Sequence, residues 1–297
     1  MGNQPDSYIG RFAPSPSGPL HFGSLVAALA SYLDARANNG KWLVRIEDID
    51  PPREPAGTAD LILKTLEAYG LHWDDSVLYQ STRSQCYDDV LEHLLTTEEL
   101  YPCICTRKQL SGLNGVYPGY CRDNRNVPSQ PHALRLRCHD QVIHFTDRIQ
   151  GRYSFDLSEL GDFTLKRKDG LYAYQLAVSV DDYFQGVTHI VRGVDLLDST
   201  PRQIHLQNQL GFPNPMYAHI PVIVESDGNK LSKQNHAPAI PQDEPRPLMI
   251  KAFSALGMQA DNQLEASTIE EILQWGIENW SPTALLQKSK ILQTSIQ

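Results

Sequence analysis

Residues 8–46 set two apolar runs, YIGRF and WLVRI, on either side of one helical pattern, and this alternation constrains the fold more than any other feature. The first run enters a turn of small and proline residues, PSPSGP. Leu25, Ala28, Leu29, Tyr32 and Leu33 then recur at the spacing of one helix face, and Asn38-Asn39-Gly40 supplies a stop. The second run reads as a buried strand ending in acidic residues, EDID, closed by Pro51-Pro52. Leu61, Leu63, Leu66 and Tyr69 restore helical spacing over residues 56–70, and Gly70 ends it. Strand, helix, strand, helix in this order predicts an α/β fold whose sheet is at least partly parallel. A doubly wound Rossmann-type domain is expected, with ligands at the carboxyl ends of its strands.

Further along, a helix is expected over residues 82–100. Residues 101–170 break into short polar and β-like pieces and read as an insertion. Apolar runs return over 171–198, a helix over about 200–210 ends at Gly211, and a strand over about 217–224 runs into the polar segment ESDGNKLSK. A proline-rich connection, HAPAIPQDEPRP, precedes a C-terminal part read as helices with a frayed end. The expected division is 1–100 and 171–245 for the two halves of the main domain, 101–170 for the insertion and 246–297 for the helical close. No run approaches the roughly 20 apolar residues of a membrane span, and the N-terminus lacks the basic start and apolar core of a signal peptide. A cytoplasmic monomer without a membrane partner is the expectation.

Net charge is −9 over 297 residues, which speaks against nucleic acid until it is divided along the chain. Residues 101–170 carry 11 Lys/Arg against 7 Asp/Glu, whereas the remainder carries 15 against 28. A basic module on an acidic body is compatible with RNA, because attraction follows the local field. Five cysteines are too few and odd in number for a disulfide framework. Three of them, Cys103, Cys105 and Cys121, crowd together, and three thiolates favour a closed structural zinc site. From the residues alone the fourth ligand stays open among Cys138, His132 and Asp123.

Two segments carry nucleotide chemistry. In PSPSGPLHFGS, residues 14–24, small residues let the backbone approach a nucleotide and a helix start favours phosphate. His21 stands at that start, placed to donate to phosphate oxygens. In KLSK, residues 230–233, Lys230 and Lys233 supply positive charge where a leaving pyrophosphate develops its own. Arg11 lies on the first strand next to the nucleotide turn, and Glu47 lies at the end of the second.

HFGS at residues 21–24 resembles the HIGH signature of class I aminoacyl-tRNA synthetases, and KLSKQ at 230–234 resembles their KMSKS loop. Ser24 and Gln234 depart from those signatures. RFAPSPSGPLHFGS and RIEDIDPPR are similar to the glutamyl and glutaminyl branch in particular. The resemblance implies a ligase that uses Mg2+-ATP and L-glutamate, with His21, Lys230 and Lys233 as catalytic residues and His21, Gly23 and Lys233 against ATP. It implies Arg11, Phe12, Ala13, Pro14, Ser15, Glu47, Tyr174 and Arg192 around glutamate. It also implies Cys103, Cys105, Tyr117 and Cys121 around one structural zinc ion.

The distance from KLSK to the last residue is about 64 residues, short of a helical anticodon-binding region. Such a chain resembles the stand-alone paralogues of this branch. They form glutamyl-adenylate without tRNA and transfer glutamate to queuosine, at the wobble position of aspartate tRNA. The competing readings are a truncated glutamyl-tRNA synthetase charging a tRNA 3′ end, an inactive RNA-binding paralogue, and a small-molecule nucleotidyltransferase. On the preferred reading Arg122 and Arg125 of the basic insertion contact the anticodon stem-loop.

Overall fold

The computed structural model describes residues 7–113, 116–123, 127–225 and 238–296. The chain opens with β1 (Ile9–Phe12), α1 (Phe22–Ala37), β2 (Lys41–Ile46), α2 (Thr58–Ala68), β3 (Leu78–Tyr79) and α3 (Ser84–Thr96). Then follow β4 (Leu100–Cys103), α4 (Arg107–Leu110), β5 (Ala133–Leu136), β6 (Val142–Asp147), β7 (Gly151–Asp156), α5 (Leu157–Leu160) and β8 (Phe163–Lys166). The second half holds α6 (Tyr174–Phe184), β9 (His189–Gly193), α7 (Thr200–Gln209), β10 (Met216–Ile220) and β11 (Val222–Val224). It closes with α8 (Pro245–Ala255), α9 (Ile269–Asn279) and β12 (Lys290–Leu292).

Helical crossovers join parallel strands, as the alternating pattern requires. β2 lies between β1 and β3, and both pairings are parallel. β9 and β10 form a second parallel pair. The chain entering β9 lies beside β1, where the Thr188 amide donates to the Ile9 carbonyl at 2.9 Å and its hydroxyl accepts from the Ile9 amide at 2.9 Å. α1 packs on β1 and β9 from one face and receives α8 and α9 on its other side. That explains why it is buried almost all round: Leu25, Leu29, Leu33, Ala28 and Ala30 are fully covered. The core continues through Trp42, Val44, Ile46, Phe253 and Ile272.

Residues 100–166 build antiparallel structure instead. β5 pairs with β4 and β8, and β6 with β7 forms a hairpin. Their apolar faces join α3, α6 and α7 in a second core containing Tyr87, Leu91, Leu136, Ile143, Leu165, Leu176 and Ile204.

Two details differ from the sequence reading. The strand expected over 217–224 is split at Pro221, which lacks the amide that a continuous ladder needs. The C-terminal part is not frayed: β12 pairs in parallel with β11, and Ile296 is buried in the main core.

Candidate active site

β1 and β2 end side by side, and the Glu47 amide donates to the Pro14 carbonyl at 3.0 Å. This bond draws the RFAPS segment and Glu47 to one strand-end crevice. Opposite them stand Tyr174, the first residue of α6, and Arg192, the penultimate residue of β9. Arg11, Phe12, Ala13, Glu47, Tyr174 and Arg192 line one cavity of about 130 Å³. Phe12 is held by stacking on Trp42, while Pro14 lies outside that lining and Ser15 faces a neighbouring cavity. Arg11, Phe12 and Ala13 of the RFAPS segment and the three others therefore converge, although the chain separates them by up to 181 positions, whereas Pro14 and Ser15 do not join them.

The charges around this cavity were only partly legible. Asp182 of α6 is buried between two guanidinium groups: Arg11 Nε donates to it at 3.0 Å and Arg45 Nη1 at 2.8 Å. Arg45 also reaches Glu47 Oε1 at 3.2 Å. Arg45 and Asp182 were not nominated from the sequence. Their signal was present nonetheless, in a charge inside the apolar run WLVRI and an acidic pair closing LYAYQLAVSVDD.

Burial alone would raise the Asp182 carboxyl, but Arg11 and Arg45 outweigh it and hold the group below the usual carboxylate range. For Glu47 burial wins over Arg45 and Arg11, and its carboxyl is raised. Burial also raises the Tyr174 phenol, which stays protonated. With Arg192, three guanidinium groups stand around two carboxyl groups, an excess of one positive charge when both carboxyls are ionised. A ligand bearing two carboxylates and one ammonium balances it.

Arg192 is 5% exposed and bonded on one side only. Its Nε meets His219 Nε2 at 3.0 Å and its Nη2 meets Thr200 Oγ1 at 2.9 Å. Nη1 is buried with no hydrogen-bond partner among the described residues. An unpaired buried donor costs about 1–3 kcal/mol, which a ligand carboxylate in the cavity would offset. A second cavity of about 330 Å³ shares Glu47 and Tyr174 with the first and extends past Asp50, Glu54 and Arg167 toward Tyr172.

The nucleotide turn leads from this crevice into α1. His21 caps the helix, and its Nδ1 accepts from the Ser24 amide at 3.3 Å, which places the proton of the neutral ring on Nε2. Gly23 lies in the first turn, where no acidic side chain opposes the positive end of the helix dipole. Ala239 bridges His21, and the Ile240 amide donates to Leu20 O at 3.0 Å, so the chain re-enters beside this turn. Lys230 and Lys233 lie outside the described residues.

The family described as "tRNA synthetases class I (E and Q), catalytic domain" matches residues 9–292. The chain belongs to this family. A protein of Pseudomonas putida (strain GB-1) named "Glutamyl-Q tRNA(Asp) synthetase" is 53% identical over 292 residues, 98% of this chain and 99% of that one. A protein of the same name from Ectopseudomonas mendocina (strain ymp) is 51% identical over 292 residues, 98% of this chain and 99% of its own length. The glutamate-tRNA synthetase of Elizabethkingia anophelis superposes with a TM-score of 0.82 at 24% identity, over 98% of this chain and 69% of that one. A glutamate tRNA ligase from Elizabethkingia meningosepticum CCUG26117, solved "in complex with its amino acid", gives 0.81 at 24% identity, over 98% and 68%. These two likenesses establish the class I catalytic fold.

In this class I synthetase the cysteine cluster is a buried site of its own. The sulfurs of Cys103, Cys105 and Cys121 all lie within 4.8 Å of one another. Cys105 and Cys121 sulfurs are 3.6 Å apart, and Tyr117 Oη lies 3.4 Å from Cys103 and 3.5 Å from Cys105. A tetrahedron with metal–sulfur bonds of about 2.3 Å and a metal–oxygen bond of about 2.0 Å has edges of about 3.8 and 3.5 Å. The donor set therefore fits one tetrahedral ion. Cys138 is directed elsewhere, donating to Gly161 O at 3.3 Å, and the half-buried His132 lies with its Nδ1 3.1 Å from Gln130 O.

Arg122 is tied to the insertion's own structure, although its side chain is 41% exposed. Its guanidinium holds Asp162, which also receives the Tyr101 hydroxyl and the Cys138 amide, so reversing its charge would disrupt the insertion's own packing. Arg125 lies outside the described residues. Among the described residues no helix is long and apolar enough to cross a membrane.

Proposed function

We propose that this synthetase activates glutamate with Mg2+-ATP in the absence of tRNA, then transfers the glutamyl group to queuosine at the wobble position of aspartate tRNA. The observation that carries the reading is the cavity's single excess of positive charge, matched to glutamate, in a chain about half identical to glutamyl-Q tRNA(Asp) synthetases over nearly their full length. Glu47 takes the substrate ammonium, Arg192 and Arg11 take the carboxylates, and Tyr174 with Phe12, Ala13, Pro14 and Ser15 shapes the wall. Because Asp182 already occupies Arg11, the unpaired Nη1 of Arg192 is the stronger carboxylate donor.

His21 Nε2–H and the Gly23 amide, at the start of α1, hold ATP phosphates. A glutamate carboxylate oxygen attacks the α-phosphorus, and the bond to pyrophosphate breaks as Lys230 and Lys233 neutralise the leaving charge. An acceptor hydroxyl then attacks the acyl carbon and AMP departs. The second cavity, which joins the first at Glu47 and Tyr174, is the acceptor's approach. On this reading residues 1–100 and 171–245 form the catalytic body, 101–170 the zinc-bearing insertion and 246–297 the close. Zinc on Cys103, Cys105, Tyr117 and Cys121 is structural.

Exchange of labelled pyrophosphate into ATP, run without RNA, tests activation. Exchange that depends on glutamate and is not supported by glutamine or aspartate is expected. Exchange that requires added tRNA, or proceeds equally with glutamine, contradicts the reading.

A further inference from the structure

Arg192 is aimed by a buried chain of hydrogen bonds that begins 45 residues upstream. Asp147, at the end of β6, is buried and accepts from the Ile149 amide at 3.0 Å, the Gln150 amide at 2.8 Å and the His219 amide at 3.1 Å. Its other oxygen lies 2.6 Å from His219 Nδ1. A carboxylate only accepts, so Nδ1 must carry the imidazole proton, and Nε2 is left with a lone pair. That lone pair receives Arg192 Nε–H at 3.0 Å, and Thr200 Oγ1 lies 3.2 Å from the same nitrogen. His219 and Thr200 are fully buried, so the geometry leaves little room for the guanidinium to turn. The outcome is a guanidinium with two nitrogens tied to the protein and a buried, unpartnered Nη1, on a residue that lines the amino-acid cavity.

We infer that His219, oriented by Asp147, is a positioning residue that fixes the Arg192 guanidinium for one carboxylate of the amino-acid substrate. The inference rests on the reading of the cavity as a glutamate site. It gives a histidine outside the nucleotide signatures a role in substrate affinity without contact with substrate. The ring has to remain neutral, since a second proton on Nε2 would face Arg192. Burial favours that state, opposed by Asp147 and supported by Arg192 itself. The groups facing the ring are Asp147, Arg192, Thr200 and, at longer range, Asp195.

Two substitutions separate positioning from packing. His219→Phe keeps the volume and removes the acceptor, whereas His219→Gln offers a carbonyl oxygen near the place of Nε2. Calorimetric titration of the purified full chain with glutamate, and separately with ATP, is the measurement. His219→Phe is expected to weaken glutamate about ten-fold, the loss of one charge-assisted hydrogen bond, with ATP affinity unchanged. His219→Gln is expected to recover most of the glutamate affinity. Should His219→Phe fail to fold, Thr200→Val removes the second acceptor of Arg192 and is expected to give a smaller loss, again for glutamate alone.

Normal glutamate binding by His219→Phe overturns the inference, as does equal loss of glutamate and ATP affinity. So does a His219→Gln variant as weak as His219→Phe. A wild-type protein that binds ATP but no glutamate overturns the substrate reading, and the inference falls with it.

Discussion

Asp34 shows how a single buried carboxylate is made tolerable and useful. It accepts from the Tyr8 hydroxyl, from two nitrogens of Arg148 and from Trp280 Nε1 at 2.8 Å. Burial alone would raise its carboxyl, but the hydrogen bonds and charge of Arg148 outweigh burial, helped by Tyr8 and Trp280, and the group is lowered. The sign of the pH dependence follows. The stabilisation is complete above the unfolded carboxylate value of about 3.9 and is lost as pH falls through the lower native value. Asp34→Asn, which leaves Arg148 without its anion, is expected to destabilise the protein by about 3 kcal/mol near neutrality in urea unfolding. The difference from wild type is expected to narrow below about pH 4; a constant difference from pH 7 down to 3 contradicts this account. Around the amino-acid cavity the same physics runs with a gap in it, since Asp182 is matched twice whereas Arg192 keeps one nitrogen for a ligand.

Elements were legible where a local period specifies them. α1 and α2 follow the helical spacing of their leucines, and β2 follows the run WLVRI, because the local pattern of apolar residues specifies each element before its distant partners are known. What depends on long-range pairing was not legible. β12 exists because β11 offers it a ladder, and the Val222 amide donates to Ser289 O at 3.1 Å. Likewise nothing near His219 announces Asp147, 72 residues away, and nothing near Arg45 announces Asp182. Arg11 and Glu47 were within reach because each is a charge in, or at the end of, an apolar strand, whereas Arg192 and Tyr174 came from family resemblance. The role of Tyr117 came from family resemblance, and chemistry alone left Cys138, His132 and Asp123 open. The cysteine site binds α4 and the turns around residues 116–123 to the antiparallel sheet, and Arg135 lies over the Tyr117 ring at 4.0 Å. Removal of metal by a strong chelator is expected to release one zinc per chain and to increase protease cleavage within residues 101–130 ahead of the rest of the chain. Metal analysis finding no zinc, or a cleavage pattern unchanged by chelation, contradicts the structural assignment.

At the scale of the whole molecule, a parallel α/β body supplies the crevice and an antiparallel insertion stands at one side of it. The two are not independent. Ile190, Ile204 and Tyr217 of the body share a core with Leu136, Ile143 and Leu165 of the insertion, and Arg148 anchors to Asp34 of α1. The second cavity opens between Asp50 at the end of β2 and Arg167 just after β8, so an acceptor reaching it touches both parts. The transfer step is tested most directly by supplying labelled glutamate and Mg2+-ATP with two tRNA pools that differ only in queuosine. Label confined to the queuosine-containing pool, and retained after the 3′ adenosine is removed, is the predicted result. Label on both pools, lost with that adenosine, would contradict the account and make this protein a synthetase that charges tRNA at its 3′ end.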